Sequence, residues 1–441
     1  MLTLQFGQCG NQLGDVLFRK ITKDIGSTSP GTSFTDCYEY SEATTSKWFE
    51  GTSQDGRNIA RVILIDAERK VINKIIAKND ESFCYRSRNI ITPGDAGGSA
   101  NNWAFGYTRK GPEFHNWVLE AVRREVERAD RLDGFLCLLS CAGGTGSGLG
   151  SFILSSLRDE FPLKNIIAAP VLPFPSGEVA TQNYNAVLSL AKVLEDSDLV
   201  VVLENQKLNG EISQNPKMKI DFPRDVNDIA AQQILSVFQP ARDSSSNRYN
   251  DVNYIISKVS PHPGFKLATV EAVPLIPDTQ NNASNFQTVS MNYSGHFKAL
   301  KKEISTPRGI KSLSNILITR GTAKQKGKKM FSPDDDDSSA IDQLIDRGIY
   351  SKINWLKFDE RITHFHQKRN FLGNERFSSV ISNNSGIAGP LDDILAGAWR
   401  LYTHGAFLHQ YKQHGLEDDD FLRAFAKLES AVKSYKSLQV D

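Results

Sequence analysis

The sequence predicts an α/β protein whose first part is a doubly wound parallel sheet, and three observations carry that prediction. Short, wholly apolar runs are bounded by turn residues, apolar stripes at helical spacing lie between them, and a glycine-dense loop, SCAGGTGSGLGSF (residues 140–152), follows the apolar run FLCLL without a gap. Uninterrupted apolar runs suit strands covered on both faces, and their alternation with helices is the pattern of a parallel sheet with crossover connections.

Taken in order, Leu13, Val16, Leu17 and Ile21 form the buried stripe of a first helix. Phe114, Trp117, Val118, Ala121, Val122, Val126 and Ala129 recur at helical spacing, Gly134 breaks the pattern, and Phe135 to Leu139 make a strand. Beyond the glycine loop, Leu149, Phe152, Ile153, Leu157 and Phe161 mark a helix. Strands are expected at 166–171 and 199–203, separated by a helix on Tyr184, Val187, Leu188, Ala191 and Leu194. Val226, Ile229, Ala230, Ile234 and Val237 give residues 225–238 a helical apolar stripe. The chain then turns polar (ARDSSSNRYND) and proline-rich (VSPHPGF, AVPLIPDTQNNASNFQT), which marks a second, mixed domain. KQKGKK (324–329) reads as a solvated loop, and DDDD (334–337) as favourable charge before a helix start. After SNNSGIAGP two helical stripes close the chain, one from Leu391 to Tyr402 and one from Phe421 to Tyr435.

The glycine loop suits an anion, because glycines allow close approach of backbone amides and a following helix adds its positive end. Its spacing is not that of a lysine-bearing P-loop: Gly148 is followed by Leu149 and Gly150. The G-x-G-x-G run of Gly144, Gly146 and Gly148 also departs from the dinucleotide fingerprint G-x-G-x-x-G. A phosphate cradle is the functional reading, and a flexible strand-to-helix turn competes with it.

The 441 residues suffice for two or three domains, with 39% hydrophobic and 23% charged residues. A net charge of +1 provides no global field for nucleic acid or an anionic membrane, and no apolar run approaches the roughly 18 residues of a span. The start, MLTLQFGQCGNQLG, lacks the pattern of a secretory signal, so a cytoplasmic location is expected. Five cysteines, with Cys9, Cys137 and Cys141 beside predicted strands, read as reduced, partly buried thiols. No Cys or His spacing suggests zinc.

AGGTGSG (142–148), GQCGNQLG (7–14) and DAE (66–68) together resemble the nucleotide-binding signature of the tubulins. SANNWAFGY (99–107), YNAVLSL (184–190), SVFQP (236–240) and HGLEDDDF (414–421) extend the resemblance over essentially the whole chain, and FGQCGNQLG, KVIN and SPHPGFK look most like the delta-tubulin branch. The resemblance implies a tubulin/FtsZ-like GTP-binding domain over 1–204, a core helix with an α+β activation domain over 205–380, and a helical hairpin domain over 381–441.

It also implies roles for residues. Backbone amides of Ala142, Gly143, Gly144, Thr145 and Gly146, with the Ser140 and Thr145 hydroxyls, would hold the β- and γ-phosphates of GTP or GDP, and Asn101 would face the γ-phosphate. Gln8, Cys9 and Gln12 fall at the first strand-to-helix turn, in reach of phosphate and base. With no lysine in the loop, charge neutralisation falls to Mg²⁺, with Glu68 as its carboxylate through water and Asp66 beside it. Asn205 and Asn227 match the guanine-reading positions, since an amide both donates and accepts, and Glu178 matches the ribose loop.

Two departures shape the expected mechanism. Pro223, next to Phe222, stands where the family places an aromatic over the base. In the loop DVNYIISKVSP (251–261), which in tubulins reaches the next subunit's GTP, Asp251 is present but Tyr254 occupies the position of the catalytic glutamate. A phenol is a poor general base at neutral pH. Weak, assembly-dependent GTPase activity is therefore the most this chain is expected to support, with Asp251 as the catalytic candidate acting on a neighbour. The partners expected from the resemblance are other tubulins and proteins of centrioles or basal bodies. A bulk microtubule-forming subunit is the alternative; Tyr254 and the closing VKSYKSLQVD, with two lysines and one aspartate in place of a long acidic tail, disfavour it. A dinucleotide-dependent enzyme is a further alternative, disfavoured by the glycine spacing.

Overall fold

The run LTLQF, buried at every position, forms the strand at the heart of the molecule, β1 (Leu2–Phe6). The structure is a computed structural model that describes residues 1–78, 80–92, 97–177, 179–213, 221–275, 293–304, 310–321, 351–352 and 362–439. Strands β2 (Val62–Ile65), β3 (Ile90–Ile91), β4 (Phe135–Ser140), β5 (Ile166–Leu172) and β6 (Leu199–Val201) join β1 in the order β3-β2-β1-β4-β5-β6, all parallel. The order turns back on itself between β1 and β4, the switch point at which doubly wound sheets open a crevice at the carboxyl ends of their strands. β4 and β5 are the runs whose uninterrupted apolarity predicts a doubly covered strand, and helices do cover both faces.

On one face lie α1 (Gly7–Gly26) and, on the other, α2 (Gly111–Glu127), α3 (Gly150–Glu160) and α4 (Gln182–Asp196). The core helix α5 (Arg224–Phe238) packs beside α1, and the buried pair Lys20 Nζ to Asp228 Oδ1 at 3.0 Å ties the two together. Removing one member of such a pair costs about 3–5 kcal/mol, because the other charge is left buried.

The second half continues the same sheet. β7 (Arg242–Asp243), β8 (Leu267–Val273), β9 (Lys311–Arg320), β10 (Ile362–Gln367) and β11 (Phe377–Asn384) extend it in the order β6-β8-β11-β9-β10-β7, and two short strands off this path, Leu203–Glu204 beside β5 and Ser351–Lys352 beside β9, bring it to 13 strands among the described residues. β8 runs parallel to β6, whereas β11 is antiparallel to both β8 and β9. Ser382, Asn383 and Asn384, which open the SNNSGIAGP stretch ahead of the closing helices, belong to β11, which is buried at every position. Asn383 Nδ2 donates to the carbonyls of Val259 and Phe265 and Asn384 Nδ2 to Thr269 Oγ1, whereas Ser382 Oγ and Asn383 Oδ1 are buried with no hydrogen-bond partner among the described residues.

α6 (Val252–Val259) packs under β9. The helical pair expected at the end is α7 (Ala388–Thr403) and α8 (Asp418–Ser437), which pack on each other and on α4. Glu417 and Asp420 form a capping box that starts α8. KQKGKK, DDDD and all but the first residue of LIPDTQNNASNFQT lie outside the described residues.

Candidate nucleotide-binding site

A cavity of ≈ 390 Å³ opens at the switch point. Two helices begin at it with bare amino-terminal ends. α1 starts directly after β1, with no side-chain cap from Phe6 and no acid in its first turn. The turn Thr145–Leu149, which runs into α3, follows Gly144 with neither cap nor acid. The first amides of a helix have no partner within it, so two uncapped ends beside one cavity make a strongly anion-attracting wall.

The glycines earn their positions by close packing as well as by facing the cavity. A Cβ on Gly144 would stand 2.4 Å from the Ser99 carbonyl oxygen, and one on Gly148 2.3 Å from that of Trp103. Gly7 has φ +66, and a Cβ there would be 2.9 Å from the Gly146 nitrogen. Gly143 faces open space, with nothing nearer than Asn101 Oδ1 at 3.7 Å. The loop is thus pressed between α1 and the 99–103 segment. Ala100 and Asn101 in that segment hold φ of 49° and 51°, a left-handed conformation that costs Ala more than Asn.

Thirteen of the sequence candidates line the one cavity: Gln8, Cys9 and Gln12 from α1, Asp66 and Glu68 after β2, Asn101, Ser140, the four residues Gly143 to Gly146, Asn205, and Asn227 from α5. Phe222 and Pro223 line it too, Phe222 half-exposed and edge-on to Phe174 with centroids 5.5 Å apart. Ala142 is not in the lining: its N–H donates to Ser140 Oγ at 3.3 Å and its carbonyl accepts from Asn185. Glu178 lies outside the described residues. Asp251 does not line the cavity; it caps α6, accepting from Tyr254 N at 2.8 Å, and pairs with Arg248 at 3.2 Å.

Two buried asparagines that the sequence reading did not single out hold the cavity walls. Asn185 Nδ2 donates to the carbonyls of Asn101 and Ala142, both at 2.8 Å, while its Oδ1 accepts from Trp103 N and Tyr411 OH. Asn11 Nδ2 donates to the carbonyls of Gly7 and Ile65, fixing the ends of β1 and β2 to each other. Ser99 and Thr145 join their hydroxyls at 2.9 Å.

The charged groups are few. Burial pushes the Asp66 carboxyl up to about 6, against a hydrogen bond from the Glu68 amide, and its Oδ2 is buried with no hydrogen-bond partner among the described residues. Burial likewise raises the Cys9 thiol to about 12, so it is neutral and unreactive. Among the described residues no group of three or more His, Cys, Asp or Glu could hold a metal unaided. An orphaned buried carboxylate oxygen beside exposed Glu68 nonetheless suits Mg²⁺, which takes one or two carboxylates and fills its remaining positions with phosphate oxygens and water.

Comparison with known proteins identifies the family. Residues 1–213 match the model of the Tubulin/FtsZ family, GTPase domain. Over 471 aligned positions the chain is 30% identical to the tubulin delta chain of Mus musculus, covering 99% of each, and 29% identical to that of Homo sapiens, covering 99% of this chain and 100% of the other. The tubulin delta chain of Macaca fascicularis is 30% identical with the same coverage as the human protein. With a full-length relative at that identity and a GTPase-domain match over the part that builds most of the cavity, the chain belongs to the tubulin family.

Proposed function

We propose that this protein is a delta-type tubulin that binds GTP or GDP with Mg²⁺ in the switch-point cavity and acts, with other tubulins, in the assembly or maintenance of centrioles or basal bodies. The observation that carries the nucleotide reading is the pair of uncapped helix ends on one cavity, joined there by thirteen of the residues the family resemblance selects. Full-length similarity to tubulin delta chains supports the subfamily. On this reading the chain comprises a GTP-binding domain (1–204), an activation domain with the core helix (205–380) and a helical domain (381–441), and it resides in the cytoplasm at the centriole or basal body.

The phosphates rest on the amides of Gly143 to Gly146 and of the first turn of α1, while Ser140 and Thr145 add hydroxyl donors. Asn205 and Asn227 offer the acceptor and donor that guanine's N1, N2 and O6 require. Glu68, with Asp66 beside it, would hold Mg²⁺ through water, and the ion would supply neutralisation of the phosphate charge. Asp251 serves a neighbouring subunit's nucleotide. Nucleotide extracted from the purified protein is expected to be guanine nucleotide by chromatography, and a tagged copy in ciliated cells is expected at centrioles. Recovery of NAD or flavin would overturn the first reading, and exclusion from centrioles the second.

Two measurable consequences arise here. Asn205→Leu and Asn227→Leu should each weaken GTP binding by about 1–3 kcal/mol through polar groups left unpaired. Retained preference for GTP over ATP in the double variant, measured by calorimetry, would place base recognition elsewhere. Mg²⁺-dependent GTP affinity should also fall as pH drops from about 7 to about 5, because Asp66 takes up a proton near 6. The sign for the fold is opposite. Its folded value lies above the ordinary 3.8, so its stabilising contribution is full below that value and is lost as pH rises through 6. Asp66→Asn should flatten both dependences, in calorimetry and in urea unfolding; an unchanged pH profile would assign the step to another group.

A further inference from the structure

Away from the cavity, four arginines from two parts of the chain share one face. Arg86 and Arg88 belong to the segment before β3, while Arg124 and Arg128 stand at the carboxyl end of α2. Two acids lie among them. Arg86 pairs with Glu50 at 2.6 Å and approaches Glu125 at 3.8 Å; Arg128 pairs with Glu125 at 3.1 Å and approaches Glu50 at 3.7 Å. The two acids are therefore used by two arginines in a closed ring. Arg88 is exposed and Arg124 half-buried, and neither has an ion pair among the described residues. The Arg124 Nε is buried without a hydrogen-bond partner there.

A helix carboxyl end favours cations, which accounts for Arg124 and Arg128. It does not account for Arg88, brought against them from another segment. Desolvation and the like charges of Arg128, Arg86 and Arg124 outweigh the attraction of Glu125 and depress its basicity. This crowding occurs in a chain whose net charge is only +1. Uncompensated like charge lowers stability, and an incoming anion relieves it.

We propose that the face bearing Arg86, Arg88, Arg124 and Arg128 is a docking surface for an aspartate- or glutamate-rich peptide segment of a partner protein. Planar guanidinium forks match carboxylates, and Arg86 already holds one carboxylate oxygen of Glu50 through Nη2. Glu50 and Glu125 interrupt the patch, which suits discrete side-chain carboxylates and repels the continuous phosphates of a nucleic acid, whose binding faces are extended and of one sign.

Fluorescence anisotropy with a labelled octaglutamate peptide tests this on the full chain. Wild-type protein should bind it at low salt and release it as salt is raised, and Arg88→Glu/Arg124→Glu should lose at least about tenfold in affinity. Lys427→Glu/Lys433→Glu, an equal charge change on exposed positions of α8, should keep it. The milder Arg88→Gln/Arg124→Gln, checked for an unchanged unfolding midpoint, separates loss of the surface from loss of the fold. No binding by wild type, equal losses in the two charge-reversed variants, or tighter binding of an oligothymidylate of equal charge would each overturn the proposal.

Discussion

Asn185→Leu should empty the nucleotide cavity and destabilise the protein by about 3–5 kcal/mol, although Asn185 itself does not line the cavity. Leucine preserves the volume and removes every polar group. The carbonyls of Asn101 and Ala142, partly buried, and the buried Trp103 amide and Tyr411 hydroxyl then lose their partner. Two of these carbonyls belong to the two loops that face each other across the cradle, so the loss is one of geometry as well as stability. Ala100 and Asn101, held in left-handed backbone, would relax once the restraint is gone. Urea unfolding and the guanine nucleotide content of the purified variant give the two readouts. A variant that retains nucleotide and shifts by under about 1 kcal/mol would show that the loops hold their shape without the clamp.

The reason such a residue escaped the sequence reading is physical. Asn185 falls between Tyr184 and Val187 within a helical stripe, where its polarity reads as an interruption of the core. Its function depends on segments 84 residues before it and 226 residues after it, and no local pattern reports those. By contrast, β4, the glycine loop and α3 were legible because each follows from a local rule: an apolar run, glycine density, a helical stripe. β11 shows the converse failure. FSSVISNN is buried throughout, yet its serines and asparagines mimic a loop, because hydrogen bonds that Asn383 and Asn384 donate to neighbouring segments stand in for part of the apolar surface that sequence patterns detect.

The candidate site was legible mainly through family resemblance. Taken alone, the spacing of Asp66 and Glu68 marks only a strand end, and Asn205 and Asn227 read as turn residues. The fold gives them a common address, at the carboxyl ends of β1, β2 and β4 and the start of α5. The glycines were legible for a partly different reason than expected, since Gly144 and Gly148 are held by backbone packing against the 99–103 segment.

Tyr254→Glu should raise GTP hydrolysis in assemblies of this protein by roughly 10²-fold, the low end of what a positioned general base contributes. The expectation rests on the family resemblance, which places a carboxylate of one subunit by its neighbour's γ-phosphate, where it orients the attacking water. In this chain the phenol at that position is doubly unsuited to the task. Burial and the hydrogen bond it donates to Asp243 Oδ2 at 2.5 Å raise it above its ordinary value. Burial pushes the Asp243 carboxyl up, but bonds from Ser245, Tyr254 and backbone amides outweigh that and hold it at about 2. Tyr254 is thereby turned toward its own subunit, and the Asp251 carboxylate is occupied by the Tyr254 amide and Arg248. A glutamate at 254 loses the bond to Asp243 and faces its charge, which drives the new carboxylate outward at some cost in stability. Tyr254→Glu/Asp243→Asn, which removes that repulsion, separates the cost from the catalytic gain. Single-turnover hydrolysis, followed with sedimentation of assemblies in parallel, should show slow turnover in wild type and faster turnover in sedimented Tyr254→Glu. Fast wild-type turnover without assembly would contradict action between subunits, and an unchanged rate in both assembled variants would move the water-orienting role to Asp251 or to another group.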